Sequence, residues 1–381
     1  MYDRAILHMD LDSFFVSVEC LKNSSLKGKP LIIGGNGGRG VVASCSYEAR
    51  EYGVHSAMPV EKAKRLCPGA LVLRGNMEEY SRYSRLVTRI IAEESPLFEK
   101  SSIDEFYIDL TGMDKYFGCY KWSLQLTDKI LRETGLPISF GLSVNKLVSK
   151  ISAGEGKPKG RMQVARGEEK TFLLPLSTAK MPGIGKKTYR KLSSMGVNTL
   201  GALGKVPVEL LKREFGKAGV ALSQRANGVD HSPVQPYSEQ KSISTESTLY
   251  RDTLDTALVR AKLTGMTDKL AYELRSSKRL TSCVTVKIRY EDFTTFTKQR
   301  HLGYTSADRT LQATVLDLFE RLYERRRMIR LIGVRFSDLM EGGYQIDLFE
   351  DSEPDIRLMQ ELDHIRDRWG IHAIMRAHGL K

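Results

Sequence analysis

Apolar and polar residues alternate along Ile6-Leu7-His8-Met9-Asp10-Leu11-Asp12, so Leu7, Met9 and Leu11 share one strand face and His8, Asp10 and Asp12 the other. Ser13 to Leu21 then takes helical spacing, with Asp12 where an N-cap belongs. Lys29 to Ser44 carries an apolar run, a cluster of glycines and a second apolar run from Val41, which reads as a glycine-rich hairpin. Cys45 to Gly53 predicts a short helix with Tyr47 and Arg50 three apart on one face. Met58 to Leu66 predicts a basic amphipathic helix. Met77 to Glu94 predicts another, with Tyr80, Tyr83, Val87 and Ile91 in a stripe that suits core packing. Ser101 to Leu110 is strand-like, but regular alternation (Phe106, Ile108, Leu110) begins only after Asp104-Glu105. A helix over 121–133, a strand over 137–143 and a helix over 145–153 complete an α+β pattern, expected as a sheet with helices on one face.

From about residue 166 the pattern shifts to short helices. Residues 231–242 hold two prolines and no period, and read as a linker. Beyond it, Val284, Val286 and Ile288 alternate with Thr285, Lys287 and Arg289, giving a sheet with one core face and one basic face. Residues 342–351 are glycine-flanked and acidic around the adjacent pair Leu348-Phe349, which reads as a docking peptide. A helix over 355–369 follows, with Leu358, Leu362, Ile365 and Trp369 on one side.

At 381 residues the chain exceeds one compact core, and two to four domains are expected. Its 59 Lys+Arg against 46 Asp+Glu leave a net +13, which favours a polyanionic partner, nucleic acid first. No apolar run approaches the roughly 18–20 residues of a membrane span, and no signal peptide is evident. The five cysteines (20, 45, 67, 119, 283) are scattered and never spaced C-x-x-C, which predicts reduced thiols in a cytoplasmic protein.

Several residues carry candidate chemistry. Adjacent strand residues point to opposite faces, so Asp104 and Glu105 can serve one site only through a bend, and two carboxylates that close call for a divalent cation. Taken alone, the pair reads equally as an acidic hairpin tip. Asp10, on the open face at a strand end, is the better metal-ligand candidate, and Asp12 the better cap. Gly35, Gly37 and Gly40 fit G-x-G-x-x-G, but a strand follows them rather than a helix, so the dinucleotide reading fails. Lys157-Pro158-Lys159-Gly160-Arg161 follows the carboxylate-bearing elements and could hold a triphosphate or simply be solvated surface. Pro182-Gly183-Ile184-Gly185, opening a helix with Lys186, Lys187, Arg190 and Lys191, has the helix-hairpin-helix form that holds a DNA phosphate on backbone N–H groups, the alternative being a plain turn between helices.

Read together in order, M-D-L-D-S-F-F at 9–15, S-Y-E-A-R at 46–50, S-I-D-E at 102–105, G-L-S-V-N-K at 141–146, K-P-K-G at 157–160 and P-G-I-G at 182–185 resemble the Y-family translesion DNA polymerases, most closely its bacterial members, over essentially the whole chain. The resemblance implies an α+β, right-hand polymerase. A ferredoxin-like palm (1–12 and 76–165) would join small fingers (13–75), a helical thumb with the helix-hairpin-helix (166–230), the linker (231–242), an α+β little finger (243–341) and a tail (342–381). It implies two Mg²⁺ ions held by Asp10, Asp104, Glu105 and the Leu11 carbonyl, with those carboxylates catalytic. It implies dNTP contacts from Phe14, Phe15, Ser44, Tyr47, Arg50 and Lys157, with Phe15 as the steric gate against ribose. DNA would be held by Pro182, Gly183, Ile184, Gly185, Lys186, Lys187, Lys287 and Arg289. A sliding clamp would bind Gln345, Ile346, Asp347, Leu348 and Phe349. The expected activity is low-fidelity, poorly processive synthesis on primer-template DNA by a monomer without proofreading. Two alternatives are a palm-type nucleotidyl cyclase, which has no use for P-G-I-G, and a catalytically silent DNA-binding accessory protein, which has none for the carboxylates.

Overall fold

The N-terminal alternation folds as β1 (Ile6–Leu11) in the computed structural model, which describes residues 4–35, 37–115, 118–236, 239–342, 353–371 and 373–374. In chain order there follow α1 (Phe14–Lys22), β2 (Leu31–Gly34), β3 (Val42–Cys45), α2 (Tyr47–Arg50), α3 (Val60–Leu66) and β4 (Leu71–Leu73). Then come α4 (Met77–Glu94), β5 (Phe98–Lys100), β6 (Glu105–Asp109), α5 (Cys119–Thr134), β7 (Ile138–Ser143), α6 (Lys146–Gly156) and β8 (Arg161–Gln163). Short helices α7 (Glu169–Leu173), α8 (Lys186–Ser194), α9 (Leu200–Lys205), α10 (Val208–Phe215) and α11 (Lys217–Ala226) complete the first of two compact units, Met1–Ser238.

Five strands form one sheet in the order β5-β6-β1-β7-β8, with β1 antiparallel to both neighbours. Leu7, Met9 and Leu11 lie on one face with Phe106, Ile108, Phe140 and Leu142. That face packs on Phe14 and Val18 of α1, Tyr80, Val87 and Ile91 of α4, and Leu126 and Ile130 of α5. The Asn76 side chain starts α4 by accepting from the N–H groups of Glu78 and Glu79.

The expectation of helices on one face is corrected by α6, which packs on the other. Phe140 and Leu142 point into the α4/α5 core, so Gly141 between them points away, and a Cβ there would lie 2.2 Å from the Ser149 carbonyl and the Ser152 hydroxyl. The missing Cβ and the small residues facing it let α6 approach closely. Its outer side, Leu147, Val148 and Ile151, joins the core of the short helices, with Leu173, Leu192, Leu203 and Leu211. The three-residue edge strands β5 and β8 were too short to show a period.

The glycine-rich stretch forms the antiparallel pair β2–β3, as read, and β4 adds parallel to β2. The first residues of the linker are held in place. Val234 packs with Ile6 and Tyr107, the Gln235 N–H donates to Glu99 (2.7 Å), and Lys146 Nζ donates to both Glu99 oxygens (2.7 Å) and to the Pro233 carbonyl (3.4 Å).

The second unit, Glu239–Lys381, contains β9 (Ser242–Thr253), α12 (Thr256–Ser276), β10 (Arg279–Tyr290), β11 (Thr295–Thr305), α13 (Asp308–Leu322), β12 (Ile329–Glu341) and α14 (Glu353–Trp369). Its sheet is wholly antiparallel, in the order β11-β10-β12-β9, and Val284, Val286 and Ile288 pack against α12 and α13 as their alternation predicts. The helix read over 355–369 forms as α14; Leu358, Ile365 and Trp369 of its apolar stripe are exposed, whereas Met359 and Arg366 are buried. The helix is set by Arg275, 5% exposed, whose guanidinium takes both Asp363 oxygens (2.6 and 2.9 Å) and Asp308 (2.6 Å). A buried guanidinium without its carboxylates is costly, so this pairing sets which face of α14 is buried. The peptide 345–349 lies outside the described residues. No described helix is long and apolar enough to cross a membrane, and all five cysteines are free.

Gly141→Ala should destabilise the first unit by roughly 1–3 kcal/mol or more through overpacking. Gly154→Ala, on the open side of α6, should leave the stability unchanged or raise it by up to ~1 kcal/mol. Denaturant unfolding of both variants checks the pair, and equal stabilities would contradict the close approach of α6.

Candidate active site

Asp10 on β1 pairs directly with Glu105 on β6, so their side chains leave the same face of the sheet. Asp104 reaches that end through the bend that the adjacent carboxylates require. The Ser102 hydroxyl accepts from the N–H groups of Asp104 (3.3 Å) and Glu105 (3.1 Å) and donates to Asp104 Oδ1 (2.6 Å). The Asp104 carbonyl accepts from the Leu11 N–H (3.0 Å), which ties the bend to the end of β1.

Two lysines meet these carboxylates. Lys157 Nζ lies 2.5 Å from Asp10 Oδ1, and Lys150 Nζ, from α6, lies 2.5 Å from Glu105 Oε2. Burial pushes the Asp10 carboxyl up to about 6, with Glu105 and Asp104 adding repulsion and Lys157 opposing them. Glu105 is held down to about 2 by His8 and Lys150. His8 Nε2 stands 3.9 Å from Glu105, too far for a hydrogen bond, and its two ring nitrogens have no such partner among the described residues. The Lys150 contact is therefore the firmer of the two. Burial lowers the His8 pKa and favours the neutral ring, which packs edge-on against Tyr107.

Asp12 is not a helix cap. Helix α1 starts at Phe14, behind a left-handed Ser13 (φ 43°, ψ 48°) that makes no side-chain cap. The Asp12 carboxylate is buried and accepts from the Ser139 hydroxyl (2.8 and 2.9 Å), the Lys159 N–H (2.7 Å) and the Tyr47 hydroxyl (3.3 Å). Those donors come from β7, the lysine loop and α2, and they outcompete the local N–H groups that a cap would serve. The same Ser139 hydroxyl accepts from the Gly160 N–H at 2.9 Å. Arg50 donates to the Ser13 hydroxyl (3.1 Å) with its guanidinium 4.5 Å over the Tyr47 ring, as their spacing suggested.

Phe14 and Phe15 divide. Phe14 buries its ring in the core, leaving its backbone for any ligand, while half-buried Phe15 stacks flat on Tyr80 (4.3 Å between centroids, 12°). The Tyr80 hydroxyl donates to Glu19 at 2.8 Å and so fixes the plate behind Phe15. Ser44 is half-buried on β3 opposite Ile33.

The Pro182-Gly183-Ile184-Gly185 turn opens α8, with Gly183 at φ 91°, a conformation that favours glycine. Lys186, Lys187 and Arg190 are exposed beyond it, whereas Lys191 is engaged by Glu214 at 3.0 Å. In the second unit Lys287 pairs with Glu246 (2.5 Å), and Arg289 Nε donates to Thr295 (2.9 Å). Sequence reasoning missed Lys150, Ser139 and the role of Asp12. Ser139, Gly141 and Ser143 did leave a signal, as small residues alternating with Phe140 and Leu142.

Known proteins bear on this geometry. The impB/mucB/samB family model matches residues 9–154, its C-terminal domain model 240–348, and the DNA polymerase-iota thumb domain model 179–230. "DNA polymerase IV" of Dehalococcoides mccartyi (strain CBDB1) is 39% identical over 99% of this chain and 98% of its own. "DNA polymerase IV 2" of Methanosarcina mazei is 37% identical over 91% of this chain and 96% of its own. Among solved structures, a Y-family DNA polymerase chimera of Dbh and Dpo4 matches with a TM-score of 0.78 at 26% identity, covering 89% of this chain and 100% of that one. An insertion ternary complex of Dbh DNA polymerase matches with a TM-score of 0.64, also at 26% identity and the same coverage. With its carboxylate end, its thumb-type turn and these relatives in accord, the chain belongs to the impB/mucB/samB family, the Y-family DNA polymerases.

Proposed function

We infer that this chain is a template-directed translesion DNA polymerase that adds dNTPs to a primer 3′ end, acting in DNA repair and mutagenesis without a proofreading exonuclease. The observation that carries the reading is the meeting of Asp10, Asp104 and Glu105 at one sheet end, flanked by Lys150 and Lys157. Their donors are hard oxygens, the set that Mg²⁺ prefers, and two lysines already supply compensating positive charge there. Asp10, Asp104, Glu105 and the Leu11 carbonyl would hold two Mg²⁺ ions. Bound there, the ions would neutralise charge on the attacking 3′-oxygen and on the leaving pyrophosphate.

The remaining work is positioning. Tyr47, Arg50 and Lys157 hold the triphosphate, with Ser44 and the Phe14 backbone beside them; Asp12 keeps Tyr47 and the lysine loop in register. Lys157 can exchange its Asp10 contact for phosphate oxygens, because both are anionic and its stem is flexible. The Phe15 ring, backed by Tyr80, fills the space that a ribose 2′-hydroxyl needs. Residues 1–12 and 76–165 serve as palm, 13–75 as fingers, 166–230 as thumb and 243–341 as little finger. The turn at 182–185 with Lys186 and Lys187, and Lys287 and Arg289 on the open face of the second sheet, hold primer-template DNA through its phosphates. The protein acts as a cytoplasmic monomer, and Gln345 to Phe349 dock it on the replication sliding clamp.

Primer extension with Mg²⁺ and four dNTPs should give short, distributive products. Glu105→Gln or Asp104→Asn should lower the rate by at least about 10³-fold while DNA affinity changes little; synthesis at the parent rate would remove these carboxylates from the site. Phe15→Ala should raise ribonucleotide incorporation by about 10²-fold or more relative to the parent, and unchanged sugar selectivity would place the gate elsewhere. Deleting 345–349 should abolish stimulation by clamp and spare basal extension, so an undiminished clamp response would sink the docking role.

A further inference from the structure

We propose that Cys283, His301 and Asp338 form a zinc-class metal site on the open face of the second unit's sheet. Cys283 on β10 pairs directly with His301 on β11, and Asp338 lies on β12, the strand on the other side of β10. Alternation along β12 would carry Asp338 to the core face of Val334 and Phe336. Its backbone instead takes φ 52°, a left-handed conformation that aspartate tolerates better than most residues. The carboxylate thereby reaches His301, with Oδ2 3.6 Å from Nδ1. The buried Cys283 thiol completes the group, and its sulfur, the imidazole nitrogen and the carboxylate oxygen all lie within 4.8 Å of one another.

Tetrahedral zinc, with Zn–S near 2.3 Å and Zn–N or Zn–O about 2.0–2.2 Å, needs donor atoms roughly 3.3–3.7 Å apart. The His301–Asp338 pair already stands at that spacing. Only the thiol must close in, by about 1 Å at most, and the exposed imidazole and carboxylate are free to turn toward it. A thiolate, an imidazole and a carboxylate select Zn²⁺ or Co²⁺, not Mg²⁺, which prefers an all-oxygen octahedron. The backbone around the thiol is fastened too: the Thr281 hydroxyl donates to the Ser337 carbonyl (2.7 Å) and accepts from the Cys283 N–H (3.4 Å), at a register shift between β10 and β11. Bound metal would clip three strands together and keep a fourth coordination position for water.

The test is Co²⁺ titration of the reduced, full-length protein in excess Mg²⁺, which occupies the all-oxygen carboxylate cluster. Tetrahedral cobalt absorption with a thiolate-to-cobalt charge-transfer band should grow to one equivalent and be displaced by Zn²⁺. Cys283→Ser should lose the charge-transfer band. His301→Ala, at a side chain 66% exposed and so neutral to folding, should weaken Co²⁺ binding by on the order of 10–100-fold or more. No charge-transfer band in the parent protein would overturn the site. So would a band that survives Cys283→Ser, which would put the metal on another cysteine, or an affinity unchanged in His301→Ala.

Discussion

Three carboxylates at one end of a mostly buried sheet repel one another and lose hydration, so the arrangement persists only if cations are brought to it. Helix α6 and the turn that ends it bring them, as Lys150 and Lys157, and the helix can do so only because Gly141 lets its backbone lie almost on β7. The environment then splits the carboxylates: burial moves Asp10 up toward about 6, while Glu105, with Lys150 against it, is held below the usual carboxylate range. One helix thus couples the sheet, the charge balance of the site and, through Leu147, Val148 and Ile151, the core of the short helices that carry the turn at 182–185.

A second buried acid, Asp12, organises the neighbouring side of the sheet end. Asp12 gathers Ser139 from β7, Tyr47 from α2 and the Lys159 N–H from the lysine loop around one carboxylate. The buried Asp12 and Ser139 side chains anchor this network, where a low local dielectric strengthens each bond. It also couples chain segments more than a hundred residues apart, holding α2, β7 and the lysine loop in register.

The second unit relies on a comparable ion pair for a different end. Arg275 holds Asp308 and Asp363 together and so decides which face of α14 is buried. Leu358 and Trp369 stay in solvent as the consequence. Burial of paired charge costs more to undo than exposure of a few apolar side chains.

Much of this was legible in the chain itself. Period-2 and helical patterns located β1, α4, β7, α6 and β10 because each has one face fully committed to a core, and the six ordered motifs identified the family. The bend at Asp104 was legible too, because two adjacent carboxylates cannot share a strand face without one. The local pattern misjudged Asp12 and the side of the sheet that α6 covers, and it did not report which face of α14 is buried or how residues 231–236 are held. Each of these was settled by a partner distant in sequence: Ser139 and Lys159 for Asp12, Arg275 for α14, Gly141 for α6 and Glu99 for Gln235. Periodicity reports which side of an element avoids water. Which buried charge meets which, and how closely two backbones can lie, depends on atoms that only the folded chain brings together.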